Sequence, residues 1–305
     1  MDHEFLGFRF SPVGMEQRGR VDELLARHPQ PLSDYGFASL FAWAPVYCYR
    51  LAVVEPDTLL VSAAFGPDCR RPGLLQPVGD FPEDLQVTIL RHARDLAEPL
   101  RIESVSAEFL ERHAAFASHF DAVEVRDSAN YVYAALDLAE LAGRRYAKKR
   151  NLITQASRLY AWTVESLGPQ HVAECLEVGD DIAKKRTTES EVTLAGETEA
   201  LGRALEYFGL LGLSGLLLRV DGQPSAFSIF DHLGPSTAVV YFERALRSRK
   251  GLYQVVNQET ARVIAALGFE LINREEDLGD PGLRQGKLSY FPARLEMKYT
   301  LTLRP

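Results

Sequence analysis

Residues 215–273 constrain the fold more than any other stretch of this sequence. Gly215–Val220 and Ala226–Phe230 are apolar runs joined through Asp221-Gly222. That dipeptide suits a two-residue hairpin turn, because both of its positions take positive φ. Thr237–Phe242 reads as another strand. Leu252, Val255, Val256, Glu259, Val263 and Leu267 then hold helical spacing, Gly268 supplies a left-handed stop, and Phe269–Asn273 returns to strand character. A hairpin, a strand, a helix and a strand in this order predict a mixed sheet with one helical crossover.

The first half has the same style. Gly7–Pro12 predicts a strand and Met15–Arg27 a helix. Tyr47–Val54 and Thr58–Ala64 flank the turn signal Glu55-Pro56-Asp57, Asp84–Ala97 has helical periodicity, and Tyr131–Asp137 reads as a strand. His171–Lys185 and Glu197–Leu211 are helical patterns, and Leu295–Leu303 is the last strand. The order is that of an α/β acyltransferase domain, and 305 residues hold two of them. The expected class is α/β (α+β), with two tandem domains, each a mixed sheet flanked by helices. They are placed at 1–140 and 166–305, with a basic connecting helix over 141–165 and the site in the second domain.

Composition narrows the function. At 46% hydrophobic and 25% charged the chain is globular. Cys48, Cys69 and Cys175 are too few and too scattered for a disulfide framework or a zinc ribbon, so a reducing, cytoplasmic location is expected and no metal. The longest apolar run, Leu210–Leu218, is far short of the roughly 20 residues that span a bilayer. Neither HExxH nor GxSxG nor a P-loop is present, which removes support for metal hydrolase, serine hydrolase and nucleotidase chemistry. Residues 1–140 carry 12 basic and 22 acidic side chains, the remainder 22 and 20, and every lysine lies at or after Lys148. An anionic ligand therefore belongs with the second half.

Three segments carry chemistry. In Gly143–Asn151, GRRYAKKRN, Lys149 falls on one stripe with Ala142, Tyr146, Ile153, Ala156 and Tyr160, with Arg150 beside it. Either the lysine stem packs and its head reaches water, or the ammonium faces an anion. Arg247, Arg249 and Lys250 precede Gly251 at the start of a helix, a joint suited to an anion. Asn273–Tyr290 gathers Asp277, Arg284, Lys287 and Tyr290 with three glycines, as acids, fixed cations and a phenol within one polar stretch. The aromatic group around Trp43 reads as core.

DYGFASLFAW (Asp34–Trp43), YVYAALDLAELAGRRYAKKRNLI (Tyr131–Ile153) and INREEDLGDPGLRQGKLSYFPARLEMKYTL (Ile272–Leu301) resemble soluble members of the family named for the phosphatidylglycerol lysyltransferase C-terminal domain. So does the pairing of Gly143 and Lys148-Lys149-Arg150-Asn151 with Gly251, Tyr253 and Asn257-Gln258-Glu259. The resemblance implies two GNAT-like domains in tandem, a fold shared with Fem-type aminoacyl transferases. It also implies transfer of an aminoacyl group from tRNA, to a lipid headgroup in the membrane-bound members. In GNAT acyl-CoA transferases the joint at Gly251 holds the cofactor pyrophosphate.

The expected activity is an acyl or aminoacyl transfer by direct attack of an amine or hydroxyl on an activated acyl carbon, with no covalent enzyme intermediate. Asp277 or Glu259 would take the proton. Lys287 and Arg284 would stabilise the oxyanion or the donor phosphate, and Tyr290 would donate a proton. Arg247, Arg249, Lys250, Gly251, Lys149 and Arg150 would hold the donor, aminoacyl-tRNA or acyl-CoA, with no tightly bound cofactor. The acceptor would be a small molecule, a peptide or a lipid headgroup. An acyl-CoA N-acyltransferase and a binding module that kept the fold without the chemistry are the alternatives. The net charge of −8 argues against tight, sequence-independent tRNA binding.

Overall fold

The computed structural model describes residues 2–65, 71–183 and 191–305; Cys69 and the end of the helix expected at His171–Lys185 lie outside the described residues. The chain forms two compact units, Met1–Asn130 with Glu296–Pro305, and Tyr131–Leu295.

The first unit opens with β1 (His3–Phe5) and β2 (Phe8–Pro12), followed by helices α1 (Arg18–Arg27) and α2 (Phe37–Tyr47). The antiparallel strands β3 (Arg50–Val54), β4 (Thr58–Phe65) and β5 (Arg71–Leu75) come next, with the short β6 (Val78–Gly79) against β4. Helix α3 (Glu83–Ala93) crosses to β7 (Arg101–Ser106), which runs parallel to β5. Helices α4 (Ala107–Arg112) and α5 (Ala114–Ala117) lead to β8 (Phe120–Glu124).

The second unit repeats this plan. It comprises β9 (Asn130–Ala134), α6 (Ala135–Glu140), α7 (Ala147–Leu159), β10 (Trp162–Ser166), α8 (Val172–Ala183), α9 (Glu191–Glu206), β11 (Ser214–Val220), β12 (Gln223–His232), β13 (Thr237–Ala245), α10 (Leu252–Ala266), β14 (Leu271–Asn273), α11 (Pro281–Leu288) and β15 (Arg294–Glu296). Its sheet runs β10-β11-β12-β13-β14-β9-β15. The first sheet runs β1-β2-β3-β4-β5-β7, then the last strand of the chain (Lys298–Leu303), then β8. Strands β2, β3, β4, β5 and β7 thus match β10 to β14 in order, and α3 matches α10.

The closing strand of each repeat is exchanged. β9 follows β8 in sequence but pairs with β14, while Lys298–Leu303 follows β15 and pairs between β7 and β8. Leu301 sits opposite Ile102, and both are fully buried in the first core. The last ten residues therefore lie in the first unit, and Tyr131–Glu140 in the second, unlike the division expected near 140. Apolar alternation says that a strand is half-buried, not which sheet it completes.

Local chemistry explains the elements. Asp221 and Gly222 both take positive φ, and Val220 faces Gln223 across the turn. Leu252, Val255, Val256, Ala261 and Ile264 of α10 fill the second unit's cores, each full burial of a large side chain contributing about 1.5–3 kcal/mol. Asp280 caps α11 by accepting from Leu283 N–H at 2.6 Å, and Pro281 takes the first helical position. Among the described residues, no helix is long and apolar enough to cross a membrane.

Candidate active site

β13 and β14 pair over only three positions, from Thr237 opposite Leu271 to Val239 opposite Asn273. β13 continues to Ala245, but beyond Asn273 the chain turns toward β9. There Arg274 N–H donates to the Tyr131 carbonyl at 2.9 Å, and Tyr131 N–H to the Glu275 carbonyl at 3.1 Å. The two parallel strands part at their carboxyl ends, where α/β sheets leave a crevice for ligands.

Arg274 crosses that gap. Its Nη2 donates to Glu243 Oε1 on β13 at 2.7 Å and to Tyr253 Oη at 3.0 Å. Asn257 Nδ2, on α10, donates to the same carboxylate at 3.2 Å. The rings of Tyr290 and Tyr133 lie 5.3 and 5.7 Å from the guanidinium carbon. Arg274 is 6% exposed and Glu243 8%, so neither charge is stable there without the other. Burial is the largest single effect and acts to lower the Arg274 pKa, but the Glu243 carboxylate together with Tyr253, Tyr133 and Tyr290 raises it.

Three polar atoms of this cluster are buried without a hydrogen-bond partner: Arg274 Nη1, Tyr290 Oη and Asn257 Oδ1. Each such group costs about 1–3 kcal/mol when left unmade. The guanidinium and the phenol offer donors, and the amide oxygen an acceptor. A bound group that accepts on one side and donates on the other satisfies all three.

Lys149 borders the same cluster from α7. Its Nζ donates to Ser289 Oγ at 2.6 Å and lies 3.9 Å from the centroid of the Tyr290 ring. Tyr146 and Ala156 on its stripe are buried, so the helical projection placed the ammonium on the packed face. Burial, then the Arg274 cation, lower its pKa to about 8.

The other expected site residues sort differently. Asp277 is fully buried and its oxygens are taken: Arg284 donates to both at 2.8 Å, Tyr131 Oη to one at 2.5 Å and Gly279 N–H to the other at 3.0 Å. Burial alone would raise its pKa, yet those donors hold it well below the usual carboxylate range. These bonds make it the clamp that closes the loop before α11. Arg284 is its partner and lines a groove of about 530 Å³ with Pro281, Gln285, Leu288 and Ser289. Lys287 is buried, donates to the Arg274 carbonyl and lies 5.6 Å from the Tyr131 ring centroid, holding the Arg274 backbone rather than facing that groove. Burial, then Arg274, lower its pKa. Glu259 pairs with Arg262 at 2.7 Å on the partly exposed side of α10 and makes no contact with the cluster.

The joint before α10 is explained by packing. A Cβ on Gly251 would stand 2.4 Å from the Leu152 carbonyl of α7, so the glycine permits two helices to approach. Arg249 lies 5.3 Å from the Tyr160 ring, Arg247 and Lys250 are exposed, and Arg150 donates to the Leu141 and Gly143 carbonyls. None of these four enters the cluster. A pyrophosphate finds no cradle of free glycines here.

Glu243, Asn257 and Arg274 were not anticipated as site residues. One signal was available: Glu243 interrupts the apolar strand VVYFERA, and Arg274 ends the apolar run FELIN. A charge inside a buried strand needs a partner, and these two supply each other.

The family model for the phosphatidylglycerol lysyltransferase C-terminal domain matches residues 25–302. The chain belongs to that family. Membership supports a transferase of the aminoacyl or acyl class. No curated protein matches the sequence. A conserved protein of unknown function from Bacteroides thetaiotaomicron is 28% identical, with a TM-score of 0.88 over 97% of this chain and 99% of its own. L-PGS from Bacillus licheniformis has a TM-score of 0.64 at 15% identity, over 93% of this chain and 91% of its own. A tandem GNAT protein from the clavulanic acid biosynthesis pathway has a TM-score of 0.53 at 14% identity, over 97% and 98%. The fold is that of two tandem GNAT-like domains.

Proposed function

We propose that the second unit transfers an aminoacyl group from an activated ester, of the kind tRNA carries, to an amine or hydroxyl acceptor. The observation that carries this reading is the buried unpartnered set at the parted strands. Arg274 Nη1 and Tyr290 Oη suit a carbonyl oxygen, and Asn257 Oδ1 beside Glu243 suits an α-amino group. A plain acyl group would satisfy the first two and leave the third unmade.

The acceptor attacks the acyl carbon, a new C–N or C–O bond forms, and the ester C–O bond breaks as the tetrahedral oxyanion collapses. Arg274 and Tyr290 stabilise that oxyanion, an arrangement typically worth 10²–10³ in rate per donor. Glu243 accepts the proton of the attacking group and returns it to the departing alkoxide. A small molecule, a peptide or a lipid headgroup all meet the requirement for a nucleophile.

Single-turnover assays with hydroxylamine as the trapping nucleophile test the reading. Bulk aminoacyl-tRNA is expected to yield aminoacyl hydroxamate with the wild type and roughly 10²–10³-fold more slowly with Arg274→Lys, while acetyl-CoA is left intact. Consumption of acetyl-CoA at an equal or higher rate, or no hydroxamate from any aminoacyl-tRNA, would contradict it.

A further inference from the structure

Helix α7 opens with Lys148, Lys149 and Arg150, and no acid lies in its first turn. A helix N-terminus already carries about half a positive charge, so this is a costly place for three cations. Arg150 is accounted for by the two carbonyls it donates to. Lys149 is not. Its half-buried ammonium has one hydroxyl and one ring as partners, the cation that bears on it is Arg274, and no carboxylate lies within ion-pair distance among the described residues. Ser289 Oγ accepts from Lys149 and donates its own O–H to the Gly286 carbonyl at 2.5 Å, so it fixes the ammonium and leaves two N–H donors pointing elsewhere.

A second observation points to a ligand. The ring beneath Lys149 belongs to Tyr290, whose buried hydroxyl has no partner, and the guanidinium 5.3 Å from that ring has an unpartnered Nη1. The two remaining N–H donors of Lys149 thus lie beside a buried phenol ring and a second cation, with no acceptor among the described residues to receive them. Ser289, which accepts from Lys149, belongs to the wall of the α11 groove.

We propose that Lys149, positioned by Ser289 and backed by Arg274 and Tyr290, forms an oxyanion subsite that takes a carboxylate or phosphate of the substrate and turns away a lysyl side chain. It rests on the transfer reading only in calling that ligand a substrate. The consequence is that an anionic group of the substrate, and not a lysyl side chain, faces Lys149.

Calorimetric titration with inorganic phosphate, succinate and lysinamide tests this on the wild type, Lys149→Met and Ser289→Ala. Phosphate or succinate should bind with one-to-one stoichiometry, at least tenfold more weakly to Lys149→Met and a few-fold more weakly to Ser289→Ala, and lysinamide should not compete. Preference for phosphate assigns the anion to a nucleotide or headgroup, and preference for succinate to an acidic substrate. Equal binding by Lys149→Met, binding of neither oxyanion by the wild type, or tighter binding of lysinamide would overturn the subsite. A melting curve for Lys149→Met confirms that the variant is folded. Because only binding is read, a protein that holds the oxyanion through Lys149 but forms no hydroxamate refutes the transfer reading alone. The reverse result refutes the subsite alone.

Discussion

The two units place polar groups at the same point of a shared plan, the carboxyl ends of the parallel strands, and finish them in opposite ways. In the first unit the neutral groups Gln76, Ser106 and Tyr35 satisfy one another, beside a buried ion pair of Lys298 with Asp34. Gln76 follows β5 and accepts from Ser106 N–H at 2.8 Å and Ser106 Oγ at 2.9 Å, while its amide donates to Gln30 at 2.8 Å. The buried Tyr35 donates to the Ser104 carbonyl at 2.8 Å and accepts from Gln76 N–H at 2.9 Å. In the second unit the same point holds Glu243, Arg274, Asn257 and Tyr290, charged and incompletely satisfied. Both are buried, so burial does not separate them. Completion separates these particular side chains: the hydrogen bonds of Gln76, Ser106 and Tyr35 serve stability, and the unpartnered atoms of Arg274, Tyr290 and Asn257 are poised for a ligand.

The contrast breaks most visibly at Arg274. Arg274→Met leaves Glu243 buried and unpaired and is expected to cost about 3–5 kcal/mol along with all turnover. Arg274→Lys keeps the charge and should lower kcat/KM by roughly 10²–10³-fold with a smaller loss in urea titrations. The first unit should answer in the other currency. Gln76→Ala leaves the Ser106 N–H buried without an acceptor, a loss of about 1–3 kcal/mol. Its Tm should fall by roughly 2–4 °C for each kcal/mol, with kcat/KM unchanged. Any fall in kcat/KM beyond the folded fraction would blur the division between units.

A smaller effect sharpens the contrast through pH. Burial holds Lys149 at about 8, below the ordinary lysine value of 10.5. Between these values the unfolded chain binds the proton and the folded chain does not, so stability rises with pH across that window. Below it the penalty is complete. Lys149→Met should therefore exceed the wild type in stability at pH 7, by on the order of 1 kcal/mol after allowance for solvent. The advantage should shrink as pH rises from about 8 to about 10.5. Urea titrations at pH 7 and pH 10 read the difference. An advantage that grows with pH would contradict the assigned direction.

Much of the fold was legible because it is local. Asp221-Gly222 specifies its turn, Leu252–Leu267 declares a buried helix face, and the stripe through Tyr146 and Ala156 put Lys149 on the packed side of α7. The strand exchange was not legible, since β9 and Lys298–Leu303 each reach the sheet of the other repeat. The tail stretch Asn273–Tyr290 holds acids, cations and a phenol, but spacing does not say which of them close on each other. Asp277 and Arg284, seven residues apart, do so. Glu243 and Arg274 are 31 residues apart and meet only because β13 and β14 part beyond Val239 and Asn273. Asn257 joins them from a helix face that reads as core.

The most direct measurement is one substitution made twice, Tyr35→Phe and Tyr290→Phe, each followed by Tm and by kcat/KM in the aminoacyl transfer assay. Both tyrosines are buried, with 1% and 2% of their surface exposed. Tyr35→Phe removes a hydroxyl that makes two hydrogen bonds and should cost about 1–3 kcal/mol while leaving kcat/KM unchanged. Tyr290→Phe removes a hydroxyl that makes none in the protein. It should leave Tm unchanged or slightly higher and lower kcat/KM by about 10²-fold, as for the loss of one oxyanion donor. A Tyr290→Phe variant that melts well below the wild type and transfers at the wild-type rate would show that the unfinished network of the second unit is structural, and the account would be wrong.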